Sequence, residues 1–206
     1  MFKKILTAIL LVLLFGCNSK TQKEEQNNST STQNQKAENA LKKETKEKNN
    51  SNVKEKNLPL FTVTTVEGKK LNISELKNGL KFAELKDKAI FLIFFGYRCP
   101  PCVREIPELI ELTKEHKDLA IVAIEVQGYD NEELKAFGKR KGINYNLISS
   151  DDNIDFISYI QAKANWHGSI PFLLGLNRKG EVEIVHTGGV GKSALEGAYQ
   201  DLINIK

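Results

Sequence analysis

Hydrophobic positions divide the 206-residue chain into three unequal parts. An apolar run from Ile5 to Phe15 is followed, over residues 18–56, by a stretch in which only four side chains are apolar. Beyond residue 57, apolar segments of strand or helix length recur up to the end of the chain. Because a folded core is built from such recurring segments, the pattern predicts one folded domain over residues 57–206.

The unbroken apolar run Ala89–Phe95 and the largely apolar segment Leu119–Val126 indicate strands that are buried on both faces. Between them, residues 100–117 carry apolar side chains at close to helical spacing, and Pro107 is predicted to kink this helix. Strand, helix and strand together predict a βαβ unit with a right-handed crossover.

The other segments are shorter. Residues 60–66 and 70–73 predict two extended pieces that lead to Ser74 as the N-cap of a helix. Asp130 and Glu133 have the spacing of a capping box at the start of another helix. The remaining predicted elements are a strand at 145–148, a helix from about 153 to 164, a hairpin of strands at 170–176 and 182–187, and a helix at 193–205. The order β-β-α-β-α-β-α-β-β-α predicts an α/β domain with a mixed sheet.

The formal charge of +4 is unevenly distributed along the chain. Residues 18–56 hold nine lysines against six glutamates, whereas from residue 57 onward 19 basic side chains face 20 acidic ones. The predicted domain is therefore close to neutral, and its charge gives no reason to expect a nucleic-acid partner.

The N-terminus has the organisation of an export signal. Lys3 and Lys4 precede the apolar run, and Gly16 precedes Cys17, which predicts a signal peptide over residues 1–16. This run of eleven residues is too short to span a bilayer, which needs about 20. Leu-Phe-Gly-Cys at 14–17 resembles the bacterial lipobox and predicts a lipidated Cys17 as the mature N-terminus. The alternative is a signal peptide that merely contains a cysteine.

Residues 18–56 are predicted to be a disordered polar tether behind the lipidated Cys17. Of these 39 residues, 20 are Asn, Gln, Ser or Thr and 15 are charged, so the segment cannot bury enough surface to fold. Its root-mean-square reach is roughly 35 Å, enough to hold a domain away from a membrane.

A Cys-Pro-Pro-Cys motif, Cys99 to Cys102, stands where the buried strand leads into the helix. At a helix start, unpaired backbone N–H groups and the positive end of the dipole favour a thiolate on the first cysteine. The second cysteine lies about one turn further on, close enough for a disulfide that cycles through mixed disulfides. The motif predicts redox chemistry.

Two other interpretations of this motif remain open. Half of a zinc site would need further ligands, and only three histidines, each isolated in the sequence, are available: His116, His167 and His186. A purely structural disulfide would close too short a loop to stabilise the fold appreciably.

Residues 94–107, Phe-Phe-Gly-Tyr-Arg-Cys-Pro-Pro-Cys-Val-Arg-Glu-Ile-Pro, resemble the active-site strand and helix of the membrane-anchored, thioredoxin-like disulfide reductases of the TlpA and ResA type. Glu105 and Pro107 stand where that family has a glutamate and a proline. Ile170-Pro171 matches its cis-proline opposite the dithiol. The resemblance runs from about residue 58 to the C-terminus. It implies a thioredoxin-like α/β fold, with a central mixed β-sheet flanked by helices on both faces.

The resemblance suggests a role for each catalytic candidate. Cys99 attacks a substrate disulfide, and Cys102 attacks the resulting mixed disulfide. Glu105 exchanges the proton of Cys102, which requires a raised pKa; the alternative is an ordinary exposed glutamate. A cis Pro171 would leave the Ile170 backbone free to pair with an extended substrate, and would keep metal-coordinating donors away from the sulfurs.

Three further residues are candidates for substrate binding. Trp166 and His167 precede the proline loop and are predicted to line the docking surface. Arg98 replaces the tryptophan usual in the family, and its guanidinium would stabilise the neighbouring thiolate. For His167 and Arg98, the alternative is a surface residue without a role.

Two other motifs favour different functions and are rejected. Residues 187–193 imitate a phosphate-binding loop but lack its first glycine, and only 13 residues follow, so we predict a glycine-rich turn between strand and helix. A peroxidase would need a hydroxyl three residues before its reactive cysteine, where this chain has Gly96.

The predicted function is that of a lipid-anchored thiol-disulfide oxidoreductase facing the periplasm or outer surface. The family implies reduction of extracytoplasmic protein disulfides, such as apocytochrome c cysteines, with electrons from a membrane donor of the thioredoxin-reducing type. Beyond the redox-active disulfide we expect no cofactor and no metal, and we expect a monomer. A net oxidant and a copper- or metal-handling lipoprotein on the same fold are the alternatives.

Overall fold

The computed structural model describes residues 60–205. The predicted signal peptide, Cys17 and the tether lie outside these residues. Twelve elements follow one another in the described part: β1 (Phe61–Thr64), β2 (Lys70–Leu76), β3 (Gly79–Phe82), β4 (Ala89–Phe95), α1 (Pro100–Glu115), β5 (Leu119–Glu125), α2 (Asn131–Lys141), β6 (Asn146–Ser149), α3 (Ile154–Lys163), β7 (Phe172–Leu176), β8 (Val182–Thr187) and α4 (Lys192–Asn204).

A five-stranded mixed sheet in the order β6-β5-β4-β7-β8 forms the centre of the domain. Strands β4, β5 and β6 are parallel, whereas β7 runs antiparallel to both β4 and β8. Every residue of β4 and β5 is buried, as their apolar sequences predicted. The predicted α/β class, the mixed sheet and the hairpin are therefore confirmed.

Each face of this sheet has its own apolar core. Helices α1, α2 and α4 cover one face, where Phe91 packs with Ile106 and Leu195. Helix α3 and a second sheet, β1-β2-β3, cover the other, where Phe94 packs with Phe156. Helices thus flank both faces, as expected for a thioredoxin-like fold.

The prediction of a helix starting at Ser74 is wrong. Strand β2 continues through Ser74, which pairs with Lys81 of β3 in an antiparallel ladder. The physical reason is a period of two in the apolar residues on both strands, which places Leu71, Ile73, Leu80 and Phe82 in the core. The domain therefore has a third short strand where a helix was expected.

Two smaller predictions concern the helices. The capping box at the start of α2 is present, since Asp130 accepts the Glu133 N–H and the Glu133 carboxylate accepts the Asp130 N–H. Pro107 lies inside α1, which continues past it to Glu115. Within residues 60–205, no helix has the length and apolar character needed to cross a membrane.

Candidate active site

The dithiol lies at the junction between β4 and α1. Cys99 and Cys102 form a disulfide with their Cα atoms 5.3 Å apart, and the two residues are only 7% and 3% exposed. Cys99 is the N-cap of α1, where its Sγ accepts a hydrogen bond from the Cys102 N–H at 3.4 Å. Once the disulfide is reduced, this position at the positive end of the helix favours a thiolate on Cys99.

The loop before β7 meets the dithiol from a distant part of the chain. The Ile170 carbonyl oxygen lies 3.9 Å from Cys99 Sγ. The Ile170–Pro171 peptide bond is cis, with Pro171 buried and Ile170 half-buried. The fold therefore brings together Cys99, Ile170 and Pro171, which the sequence placed in one site.

Glu105 lies one turn beyond Cys102 on α1 and is 8% exposed. Burial raises the pKa of its carboxyl to about 6, although the Val190 N–H donates to it and partly offsets this effect. The negative charge of Glu108 also raises this pKa, whereas Arg104 lowers it. A carboxyl of this kind can exchange a proton near neutral pH, so Glu105 is not the exposed helix glutamate of the alternative interpretation.

The glycine-rich segment forms the turn between β8 and α4, as predicted, and joins two parts of the site. Its Gly188 N–H donates to the Pro171 carbonyl at 2.8 Å, and its Val190 N–H donates to Glu105. Gly188 has φ +107°, a conformation that side-chain-bearing residues rarely adopt. The resemblance to a phosphate-binding loop concealed this role, and no sequence signal pointed to it.

Glu125, at the end of β5, is a second buried carboxylate that sequence reasoning missed. It is fully buried and accepts four backbone N–H groups, at 2.9–3.3 Å, from the residues at 97, 127, 128 and 129. These donors come from two loops, so Glu125 ties the segment before the dithiol to the loop after β5. A charged residue at the end of an otherwise apolar run was the available signal.

Aromatic and polar side chains surround the segment just before Cys99. The Tyr97 ring stacks on that of Tyr129 at 3.7 Å, and the Arg98 guanidinium lies over Tyr97 at 4.9 Å. The Arg98 N–H donates to the Gln127 side chain at 2.9 Å. At Gly96 a Cβ atom would come within 2.2 Å of that glutamine side chain, which would have to shift to admit a larger residue.

Comparison with known proteins matches this architecture to a family. Residues 55–183 fit the family model described as the AhpC/TSA family. The chain belongs to the AhpC/TSA family. Within the family it is similar to the thiol-disulfide oxidoreductase ResA of Halalkalibacterium halodurans, with 30% identity over 125 residues, which cover 60% of this chain and 67% of the relative. ResA of Bacillus subtilis is 28% identical over 147 residues, covering 70% of this chain and 73% of the relative.

Solved structures show the same fold. A thiol:disulfide interchange protein of Chlorobium tepidum superposes with a TM-score of 0.58 at 24% identity, covering 74% of this chain and 99% of that one. A secreted Mycobacterium tuberculosis disulfide oxidoreductase gives a TM-score of 0.54 at 22% identity, covering 69% and 96%. This AhpC/TSA member is thus a ResA/TlpA-like thiol-disulfide oxidoreductase with a thioredoxin-like fold and the Cys99–Cys102 pair.

Two predicted docking residues of this AhpC/TSA domain differ in their surroundings. Trp166 is only 5% exposed; its ring stacks on Phe172 at 5.2 Å, and its Nε1–H donates to the Ser169 carbonyl at 2.7 Å. The prediction that Trp166 lines the docking surface is corrected, because its side chain supports the loop from within the core. His167 is exposed beside it, and its role in docking stays a prediction.

The metal-handling alternative requires cysteine and histidine ligands in one place. Among residues 60–205, the side chains close enough to hold an ion together are those of Glu115, His116 and Glu196, and the group includes neither cysteine. The His116 and Glu196 side chains already bind each other at 2.9 Å.

Proposed function

We propose that this AhpC/TSA member reduces protein disulfides outside the cytoplasm while attached to a membrane through a lipid on Cys17. The observation that carries the proposal is the buried disulfide at the start of α1, with the Ile170 carbonyl 3.9 Å from Cys99 Sγ and a protonatable Glu105 one turn along the helix. The chain faces the periplasm or outer surface in this proposal, with the inner or outer membrane left open.

In the reducing direction the exchange proceeds in two steps. The Cys99 thiolate attacks one sulfur of the substrate disulfide, forms a bond to it and expels the other substrate sulfur as a thiolate. Cys102 then passes its proton to the Glu105 carboxylate, and its sulfur attacks Cys99. This step closes the Cys99–Cys102 disulfide and releases the second substrate thiolate. Two electrons pass to the substrate, whose thiolates take up protons from solvent.

The substrates we propose are extended protein segments that carry cysteines, with apocytochrome c before haem attachment as the specific case. Ile170 presents backbone groups beside the sulfur, and such groups can pair with an extended chain. Arg98 directly precedes Cys99, and His167 precedes Ile170 in the loop before β7. Both side chains are exposed and are the proposed contacts with the substrate. A membrane donor of the thioredoxin-reducing type would reduce the pair again, and no other cofactor enters the proposal.

The direction of transfer is tested by the reduction potential of the Cys99–Cys102 pair. Equilibration with glutathione and quantification of free thiols should give a value near that of thioredoxin, about −270 mV. A value near −120 mV, that of a strong disulfide donor, would make the protein an oxidant instead.

The anchor is tested separately by fatty-acid labelling of the chain in its bacterial host. Wild type and Cys99→Ser should both incorporate label and fractionate with membranes, whereas Cys17→Ser should do neither. Equal labelling of Cys17→Ser and wild type would remove the lipid anchor from the proposal and leave the redox site untouched.

A further inference from the structure

Within residues 60–205, the buried side-chain oxygen that lacks a hydrogen-bond partner is Glu108 Oε2. Buried carboxylate oxygens are nearly always paired with a donor, because desolvation without a partner is costly. An exception of this kind requires an explanation from the surroundings of Glu108.

Glu108 belongs to a row of side chains on α1 that starts at the dithiol. Cys102, Glu105 and Glu108 follow one another at intervals of three residues, so each lies one turn from the next. Cys102 and Glu105 are buried, and Glu108 is half-buried. The row therefore runs from the buried sulfur toward the outer part of the helix.

A cavity of about 280 Å³ connects the two carboxyl groups. Both glutamates line it, together with the loop from Gly189 to Gly191. It reaches the surface, since Arg104 and Gly191 at its edge are exposed. A space of this size, lined by charged side chains on one side, can hold several water molecules, each of which needs only roughly 10–15 Å³ of such volume.

We propose that Glu108 is the outer member of a proton path that links Cys102 through Glu105 to solvent. The inference rests on the proposed role of Glu105 and adds a residue beyond it. Glu108 acts through Glu105 and does not touch the sulfurs, so it is a positioning residue in this reaction. Glu108 lines the same cavity as Glu105, and in the proposal its carboxylate accepts the proton there.

The proposed path accounts for the proton that Cys102 loses when it resolves the mixed disulfide. Cys102 gives its proton to the Glu105 carboxylate, and its sulfur forms the bond to Cys99 as the bond from Cys99 to the substrate breaks. Glu105 then passes the proton to Glu108 through cavity water, and Glu108 releases it to solvent. Glu105 returns to its carboxylate form, and no further oxidant or reductant is needed.

Charged and titratable side chains on α1, on α4 and before β6 lie near Glu105 and Glu108. On α1, Arg104 acts on Glu105, and Glu111 lies one turn beyond Glu108. On α4, Lys192 forms an ion pair with Glu111 at 2.8 Å and also senses the charge of Glu108. The Tyr145 hydroxyl interacts with Glu105, and its pKa is raised mainly by burial. Arg104 and Lys192 are the basic groups that interact with these two carboxyl groups.

The experiment mixes the reduced full-length chain, carrying Cys17→Ser so that Cys99 and Cys102 are its only thiols, with the disulfide reagent DTNB. Thionitrobenzoate release is followed by stopped flow from pH 4.5 to 8. The first release reports attack by Cys99, and the second reports resolution by Cys102. In Glu108→Gln the second release should slow about tenfold, less than a direct acid–base partner contributes, while the first is unchanged. Glu108→Asp should recover part of the rate. Glu111→Gln, on the same helix, is the matched control and should change neither release.

Second-release rates in Glu108→Gln equal to those in Glu111→Gln at every pH would overturn the proton path. Equal slowing of both releases would overturn it too, since that indicates a disturbed structure. Because DTNB oxidises the dithiol whatever its natural direction, a slowed second release together with an oxidising potential supports the path and contradicts only the proposed reducing function.

Discussion

Two buried glutamates lie near the dithiol and differ in how their carboxylates are satisfied. Glu125 is fully buried and accepts four backbone N–H groups. Glu105 is 8% exposed and accepts one, from Val190. The oxygens of Glu125 are occupied by backbone donors of the two loops that it holds together. Glu105 keeps acceptor capacity free, and this difference separates a structural carboxylate from one able to move protons.

The largest effect on stability is expected from substituting Glu125, whose oxygens accept four backbone hydrogen bonds. Glu125→Gln replaces one acceptor oxygen with an NH₂ group that faces backbone donors, so buried N–H groups lose their partners. We expect the free energy of unfolding to fall by about 2–4 kcal/mol, measured by urea denaturation of the oxidised protein. A loss below about 1 kcal/mol would mean that Glu125 is not the anchor of these loops.

For Glu105 we expect a large effect on the rate of resolution and a small effect on stability. Glu105→Gln should slow resolution by Cys102 about 100-fold, because it removes the proton acceptor, and should change the free energy of unfolding by less than about 1 kcal/mol. The two-phase DTNB reaction measures the first quantity and urea denaturation the second. Unchanged resolution with strong destabilisation would place Glu105 in the same structural class as Glu125.

The pH dependence of stability sharpens the comparison. Folding raises the Glu105 pKa from 4.5 to about 6, so the folded state binds more protons than the unfolded one between these values. The free energy of unfolding of the oxidised protein should therefore decline as pH rises through this window, by about 1–2 kcal/mol relative to Glu105→Gln. Urea denaturation of both proteins at pH 4 and pH 8 measures the difference. Parallel profiles would contradict the raised pKa.

The smallest effect concerns the turn that supplies the single donor to Glu105. Gly188→Ala places a side chain at φ +107°, and should cost about 1 kcal/mol and speed proton exchange at the Val190 amide. Gly197→Ala is the control, because Gly197 lies in α4 with open space around it. This substitution should stabilise the fold by a similar amount, since alanine is the better helix former. Hydrogen exchange and thermal unfolding check both. Equal effects of the two substitutions would show that the turn is not strained.

Much of this arrangement was predictable because apolar periodicity determines which segments are strands and helices. The runs at 89–95 and 119–126 located the central parallel strands, and the Cys-Pro-Pro-Cys motif located the site between them. Strand β3 was missed because four residues offer too short a pattern. Contacts such as Val190 with Glu105 join residues that are 85 positions apart. No local signal encodes such a contact, which follows only from the packing of α4 beside α1.

Trp166 shows a different limit of prediction from sequence, which concerns whether a side chain lies in the core or at the surface. An aromatic residue just before an active-site loop is as well suited to a core as to a docking surface, and sequence alone does not distinguish the two. Its ring packs at a tilt against Phe94 and stacks on Phe172, which places it in the core. The exposed neighbours His167 and Arg98 remain candidates for contact with the substrate.

The central claim is that Cys99 attacks the substrate and Cys102 resolves the intermediate. Mass spectrometry after incubation with a disulfide-containing peptide tests this most directly. Cys102→Ser should accumulate a mixed disulfide between the peptide and Cys99, and Cys99→Ser should accumulate none and reduce no substrate. If Cys99→Ser reduced the peptide at the wild-type rate, or trapped it as well as Cys102→Ser, the proposed mechanism would be contradicted.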